Sequence, residues 1–504
     1  MRPPVCAFRQ LGPEQSRLER PDIALSSSYG HKRINPCPAT CFQFIKARFT
    51  EVSLQLKKIM AKTAVFTIVS KNYAAYACVL MQSLRRSNPS LQRFVCLVDE
   101  LDGRELGDLA DAECVFAHSI GIPNFEDMAF RYDIMELNTA AKPFMFRWLL
   151  ENQDFDRAIY LDPDIFVYRS LEDVERLLDD GHSAILTPHL LQPLDDGARP
   201  DDHDILKSGV FNLGFAAMAR TSEAMRFIDW WGRKLQFHGY SDVANNLFTD
   251  QRWCDFAPCL IEKLAILRHP GYNVAYWNLS TRMIGEDRDG AISVDGRPLI
   301  FFHFSGLRFE DSTLVSKHQD RLRWKDLGPV RQLFEAYRKQ LLDNDWEAQR
   351  ALGYAYESVG GIRIVEPLRG LYRRRYPRHA PISGVPDAAF ILRMCNQRVE
   401  KYPVPQGAVL TQLMKYVHES RPDLRAAFDL GRRDGVARFI RWFEDTPERE
   451  YGLDPRLTRQ SLISQARVEP LSDAAADPIP NAGHSTAYRL WRKARKRLLG
   501  LGVR

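Results

Sequence analysis

Two aspartates one residue apart, Asp162 and Asp164, follow the apolar run Ala158-Ile159-Tyr160-Leu161 and precede a second run, Ile165-Phe166-Val167. Carboxylates at i and i+2, joined through the stiff Pro163, can both turn toward one cation at a strand end. A hard ion such as Mn²⁺ or Mg²⁺ suits this pair, because a few protein oxygens hold it and phosphate and water fill its other positions. An ion so placed neutralises a bound diphosphate and makes a nucleotide a better leaving group. Asp-Pro-Asp equally suits a solvated turn. The apolar runs on either side favour the site.

The aspartates need strands to position them. Val65–Val69 is an apolar, β-branched run of the kind a buried parallel strand shows. The pattern predicts a helix from Tyr73 to Arg86, stopped by Asn88-Pro89, then a strand over 93–98 ending at Asp99. Further strands are expected over 157–161, 183–187, 211–218 and 299–303, with helices over 142–151, 170–179 and 222–235. Strands alternating with helices predict an α/β fold with a mainly parallel sheet, whose ligands bind beyond the carboxyl ends of the strands.

The chain has 504 residues, more than one core usually organises, so two domains with tails are expected. Its 45% hydrophobic and 27% charged residues are those of a globular protein, and a net charge of +6 is too small at this length to imply a nucleic-acid partner. Nine cysteines show no zinc-site spacing; Cys37 and Cys41 lie in a Pro-rich stretch, and Cys254 and Cys259 flank a strand-like turn. Reduced thiols, with Cys78 and Cys96 buried, are expected of a cytoplasmic protein. No apolar run reaches the length needed to cross a bilayer, and no signal peptide is evident.

Residues 1–60 differ in texture from the rest of the chain, and Met60 directly precedes the first strand, so this extension reads as disordered or mis-annotated. Residues 61–330 read as the α/β domain, 331–385 as a helix (Val330 to Arg350) and a basic linker (Arg369 to Arg378), and 386–470 as a helical accessory domain. Within the last, helices are expected over 388–401, 408–419 and 435–444. Residues 471–504 read as a disordered linker and a basic helix from Tyr488. That helix has Trp491, Ala494, Leu498 and Leu501 on one face and arginines and lysines around the rest. Such a helix suits peripheral contact with an anionic membrane on its inner face, or a solvated tail or partner helix.

From about Thr63 to Lys317 the sequence resembles the family 8 glycosyltransferases and their bacterial polysaccharide relatives of GT-A fold. The resemblance runs through Phe66-Thr67-Ile68-Val69-Ser70-Lys71-Asn72-Tyr73, Thr139-Ala140-Ala141-Lys142-Pro143 and Tyr160-Leu161-Asp162-Pro163-Asp164. It continues through Phe211-Asn212-Leu213-Gly214-Phe215, Asp250-Gln251 and Phe302-His303-Phe304-Ser305-Gly306. It implies a Rossmann-like GT-A domain and retaining transfer from a nucleotide-diphosphate sugar, commonly UDP-linked, with Mn²⁺, to a saccharide or lipid-linked acceptor.

The resemblance also implies that His303 is the third metal ligand, as neutral imidazole can be; a core histidine is the plainer reading of a lone His, but its place at the end of an apolar strand and before Ser305-Gly306 favours the ligand. The family's Lys-Pro-Trp after this glycine is absent, so Lys317 or Arg308 would have to supply the diphosphate lysine. Thr67, Ser70, Asn72, Tyr73 and Asp99 lie where a nucleoside would be read, Lys142 near the phosphates, and Gly306 where main chain can approach a phosphate. Asn212 and Gly214 would line the sugar pocket, and Asp250 and Gln251 would face the anomeric centre or the acceptor. Asp250 also suits a helix N-cap. Two rivals stand beside this reading. One is a nucleotidyltransferase that makes nucleotide sugars, although Ser70-Lys71-Asn72-Tyr73 has no Gly-rich loop. The other is a non-catalytic sugar-binding scaffold.

Overall fold

A computed structural model describes residues 61–465, apart from 102, 288–289, 310–313 and 379–385. The expectations for residues 1–60, and for the linker and basic helix at 471–504, lie outside the described residues.

Seven strands form the central sheet: β1 Thr63–Val69, β2 Gln92–Leu97, β3 Glu113–Phe116, β4 Arg157–Leu161, β6 Ala184–Pro188, β7 Phe211–Ala219 and β8 Leu264–Ile266. Two short strands outside it, β5 Ile165–Val167 and β9 Phe301–His303, pair with each other. The sheet order is β8-β6-β7-β4-β1-β2-β3, and β7 alone runs against its neighbours β4 and β6. The expected α/β fold with a mainly parallel sheet is therefore the observed one. β1 is buried along its whole length because both faces of the sheet are covered. Ala64, Phe66 and Ile68 join the core on one side with Met145, Phe146 and Trp231. Val65 and Val69 join the core on the other with Leu80, Met81 and Leu161. Trp231 is fully buried in that first core.

Element ends depart from the expectations where side chains override the pattern. A 3₁₀ turn over Lys71–Tyr73 precedes the helix Ala74–Ser87. The run expected as one helix from 330 to 350 breaks into Arg331–Asp343 and Trp346–Arg350, with Asp345 in left-handed backbone at φ 58°. Cys254 and Cys259 sit in two short helical turns, Gln251–Cys254 and Ala257–Leu260, rather than beside a strand-like turn. The described cysteines are unpaired, with Cys78 and Cys96 buried.

The larger correction falls on the basic linker. Glu366–Arg375 is an α-helix whose Leu368, Leu371 and Tyr372 are buried. They pack in a helical core with Phe390, Met394, Leu413, Phe439 and Phe130. Arg369, 4% exposed, donates to the main-chain carbonyls of Ala129, Phe130 and Tyr132. The described residues from Ala61 on form one compact unit, so the boundaries read at 330 and 385 mark changes of composition rather than breaks in packing. Helix Arg331–Asp343 packs Phe334 and Tyr337 against Phe302 and Phe304, directly behind the end of β9. Among the described residues no helix is long and apolar enough to cross a membrane.

Candidate active site

β4 delivers Asp162 to the carboxyl edge of the sheet, and a turn closed by Ile165 N–H to Asp162 O, 3.1 Å, brings Asp164 round beside it. β5 then leaves the turn and pairs antiparallel with β9, in a register that sets His303 opposite Ile165. This pairing joins two segments far apart in sequence. It leaves His303 Nε2 3.0 Å from Asp164 Oδ1 and 3.7 Å from Asp162 Oδ2. One ligand atom from each of the three residues lies within 4.8 Å of the others, and among the described residues no other such group forms. An octahedral ion with bonds of about 2.1 Å spaces neighbouring ligands by roughly 3 Å and opposite ones by about 4.2 Å, and two carboxylates with an imidazole are a hard donor set. The residues therefore fit Mn²⁺ or Mg²⁺. The His303 side chain is 3% exposed and those of Asp162 and Asp164 are 26% and 18%, so the cluster opens to solvent on its carboxylate side.

The carboxylates are held from behind. Tyr160 donates its hydroxyl to Asp162 Oδ1 at 2.5 Å, and Lys142 Nζ approaches the same oxygen at 3.6 Å over the Tyr160 ring. Burial raises the Asp164 carboxyl, but the facing His303 outweighs it and the group lies below its ordinary range. The His303 ring is lifted by the two aspartates against its burial.

Lys142 is neither a surface residue nor open to a phosphate. It is 2% exposed, 2.8 Å from Asp250 Oδ2 and 2.9 Å from the carbonyl of Leu213. Burial pulls its ammonium down, yet Asp162 and Asp250 outweigh that and hold it above its ordinary range. Burial likewise raises the Asp250 carboxyl, with Lys142 opposing. Asp250 precedes the turn Gln251–Cys254 but does not cap it with its side chain; it faces the lysine.

The residues read as sugar-facing are packed beneath the surface. Asn212 is 8% exposed and accepts from Gly214 N–H and from Asn273. Gln251 uses both ends of its amide on main chain, accepting from Leu213 N–H at 3.0 Å and donating to Ser208 O at 2.8 Å. At Gly214 an added Cβ would lie 2.4 Å from His303 Cε1, so this glycine makes room for the histidine ring.

On the nucleoside side the structure separates the candidates. Thr67 is fully buried, and its hydroxyl has no partner. Asp99 has no exposed side-chain surface: it faces Lys71 Nζ at 3.6 Å and accepts from the main-chain N–H groups of Lys71, Glu100 and Ala355. Both are corrected from ligand-facing to structural positions, because neither can reach a ligand as it stands. Ser70 donates to Asn72 Oδ1 at 2.7 Å. Tyr73 is 42% exposed and stacks on Tyr76; burial, then Asp164 and Asp162, push its phenol up to about 12, so it borders the acidic cluster.

Gly306 turns with φ 67°, and its carbonyl accepts from Lys317 N–H, leaving the Lys317 side chain exposed. Next to it His318 stacks on Tyr276, and Asp164 influences both rings. Tyr160, His318, Asn273 and His189 escaped the sequence reading. Tyr160 stands two residues before Asp162, and His318 directly follows Lys317; those adjacencies were the available signals.

The sequence model described as "Glycosyl transferase family 8" matches residues 64–221. Two relatives from Bacillus subtilis (strain 168), the uncharacterized proteins YfnF and YfnD, are each 24% identical. Each alignment covers 54% of this chain, with 90% of YfnF and 86% of YfnD. Among solved structures, the galactosyltransferase LgtC with donor and acceptor sugar analogs is 15% identical over 57% of this chain and 99% of its own, at a TM-score of 0.34. The glycosyltransferase GlyE of Streptococcus pneumoniae TIGR4 is 14% identical over 57% of this chain and 64% of its own, at 0.32. The segment matched by that family spans β1 through β7 and the Asp162-Asp164 turn, and on this match the chain is a glycosyltransferase.

Proposed function

We propose that the enzyme moves a sugar from a nucleotide-diphosphate donor, UDP-linked, to a saccharide or lipid-linked acceptor with retention, using Mn²⁺ or Mg²⁺ held by Asp162, Asp164 and His303. The observation that carries this reading is the three-residue cluster at the carboxyl edge of the sheet, open on its carboxylate side. A bound divalent ion there supplies charge neutralisation to the departing diphosphate. Tyr160 and Lys142 keep Asp162 oriented from the protein side.

Retention requires either a protein nucleophile or attack on the face the phosphate leaves. Asp250, 2% exposed and bound to Lys142, is poorly placed to attack, which favours the same-face route. The nucleotidyltransferase reading loses ground at β1, which is followed by Ser70 and a 3₁₀ turn with Lys71 buried against Asp99 rather than by a glycine loop. Membrane contact through the basic C-terminal segment is part of the same proposal and fits a lipid-linked acceptor.

The test is calorimetry with UDP, with and without Mn²⁺, followed by turnover of UDP- and GDP-sugars. Metal-dependent UDP binding and a preferred UDP-sugar are expected. Asp162→Ala and Asp164→Ala should each lose more than about 100-fold in turnover while staying folded, since losing only a residue that supports a metal ligand already costs roughly 10–100-fold. Full turnover in either variant would sink the reading.

A further inference from the structure

Behind His303 lies a closed row of polar side chains: Asn273 is 0% exposed, Thr187 2%, His189 5% and Asn212 8%. The donors and acceptors in this row can be assigned from one fixed point. Gly214 N–H is a main-chain donor and meets Asn212 at 3.1 Å, so that atom of Asn212 is its carbonyl oxygen. The Asn212 amide nitrogen then faces His189 Nε2 at 3.2 Å, which must be the bare ring nitrogen. Burial drives the His189 imidazole down to about 4, consistent with a neutral ring that accepts there.

The same Asn212 oxygen lies 2.9 Å from Asn273, so this atom of Asn273 is its amide nitrogen; its second hydrogen goes to Thr187 Oγ1 at 3.0 Å. What remains of Asn273 is its carbonyl oxygen, and it faces His303 Nδ1 at 3.3 Å. An acceptor there requires a hydrogen on Nδ1. Trp277 packs edge-on against the ring, centroids 5.1 Å apart, and Gly214 lies against it, so the ring plane is fixed and the Asn273 carbonyl selects Nδ1 as its partner. Asn273 itself has φ 50°, a left-handed backbone that asparagine tolerates better than most residues.

We propose that Asn273 is a positioning residue: with Asn212 and the main-chain N–H of Gly214, it fixes the His303 tautomer with hydrogen on Nδ1 and presents Nε2 to the divalent cation. This rests on the cation reading of the cluster. The ring nitrogen so presented is the one 3.0 Å from Asp164 and 3.7 Å from Asp162. Hydrogen-bond partners of this kind orient metal-binding histidines, and their loss typically costs about 10–100-fold in metal affinity.

The test uses the full chain, ¹⁵N-labelled at histidine, with the His303 signals assigned by their loss in His303→Gln. Nitrogen-15 NMR of the Mg²⁺-loaded protein reads whether Nδ1 bears hydrogen while Nε2 faces the ion, and electron paramagnetic resonance titration reads Mn²⁺ affinity. Expected are a protonated Nδ1 in the wild type and roughly 10–100-fold weaker Mn²⁺ binding in Asn273→Gly. Affinity should return to within a few-fold in Asn273→Asp, whose carboxylate accepts the same N–H. Both replacements tolerate the positive φ, and the wild-type NMR result stands even if a variant fails to fold. A bare Nδ1 in a wild type that binds Mn²⁺, or unchanged affinity in Asn273→Gly, overturns the role of Asn273. A wild type with no Mn²⁺ affinity overturns the cation reading instead.

Discussion

Lys142 Nζ lies 2.8 Å from Asp250 Oδ2, and the two side chains are 2% and 3% exposed. A buried pair of this kind adds little stability as a pair, but removing one partner strands the other's charge. Lys142→Met should therefore cost about 3–5 kcal/mol in urea unfolding, and adding Asp250→Asn should recover most of the loss. Equal losses in the single and double variants would show that the two charges do not depend on each other.

Gly214 carries a second constraint on the same site. A Cβ there would lie 2.4 Å from His303 Cε1 and 2.8 Å from Asn212 Oδ1, and Trp277 also packs edge-on against the ring. Gly214→Ala should cost about 1–3 kcal/mol, as overpacking does, and should weaken Mn²⁺ binding because the histidine is displaced. Mn²⁺ titration beside a urea midpoint checks both. Unchanged metal affinity would mean that the backbone yields instead of the ring.

How much of this was legible beforehand depended on the distance in sequence between the groups involved. β1 and β4 announced themselves because burial on both faces makes a strand continuously apolar, and Asp162 and Asp164 stand at the end of one of them. That His303 meets those aspartates follows from the pairing of β5 with β9, which no local pattern encodes. Asn273 lies between aromatic residues in an irregular stretch, and its hydrogen bonds to residues 187, 212 and 303 are all non-local. The helix Glu366–Arg375 was masked by its own arginines. Leu368, Leu371 and Tyr372 have helical spacing, but the basic residues around them dominate the composition. Lys142 illustrates the same limit, since its type suggests an exposed cation and only the surrounding carboxylates make its burial tolerable.

Glu136 gives the fold a pH dependence. Burial first, then Asp133, raise its carboxyl to about 7 against Arg373 and two main-chain N–H groups. A folded-state value above the unfolded one means the native protein binds the proton more tightly. Stability from this group is thus complete below about 4.5, falls as pH rises toward 7, and levels off above. Glu136→Gln removes the titration, so the variant should gain on the wild type across that window, by up to about 3 kcal/mol at roughly 1.4 kcal/mol per unit. Urea unfolding of both proteins from pH 4 to 8 reads the difference, and a flat difference would refute the assignment.

Arg369 tests whether the helices after residue 366 are part of the catalytic unit or an attachment to it. Its guanidinium is buried under the end of helix Phe125–Arg131 and meets the carbonyls of Ala129, Phe130 and Tyr132, while neighbouring Tyr372 donates to Asp127. Arg369→Met keeps most of the aliphatic stem but leaves those buried carbonyls without their donor, at about 1–3 kcal/mol for each that finds no replacement. Because the contact joins the helical core to residues that also pack against the sheet, the loss should lower one cooperative transition for the whole unit. Far-UV and tryptophan-fluorescence unfolding curves should then shift together. Two separated transitions, with the metal-binding part unfolding at its wild-type midpoint, would instead make the C-terminal helices an independent domain resting on the enzyme.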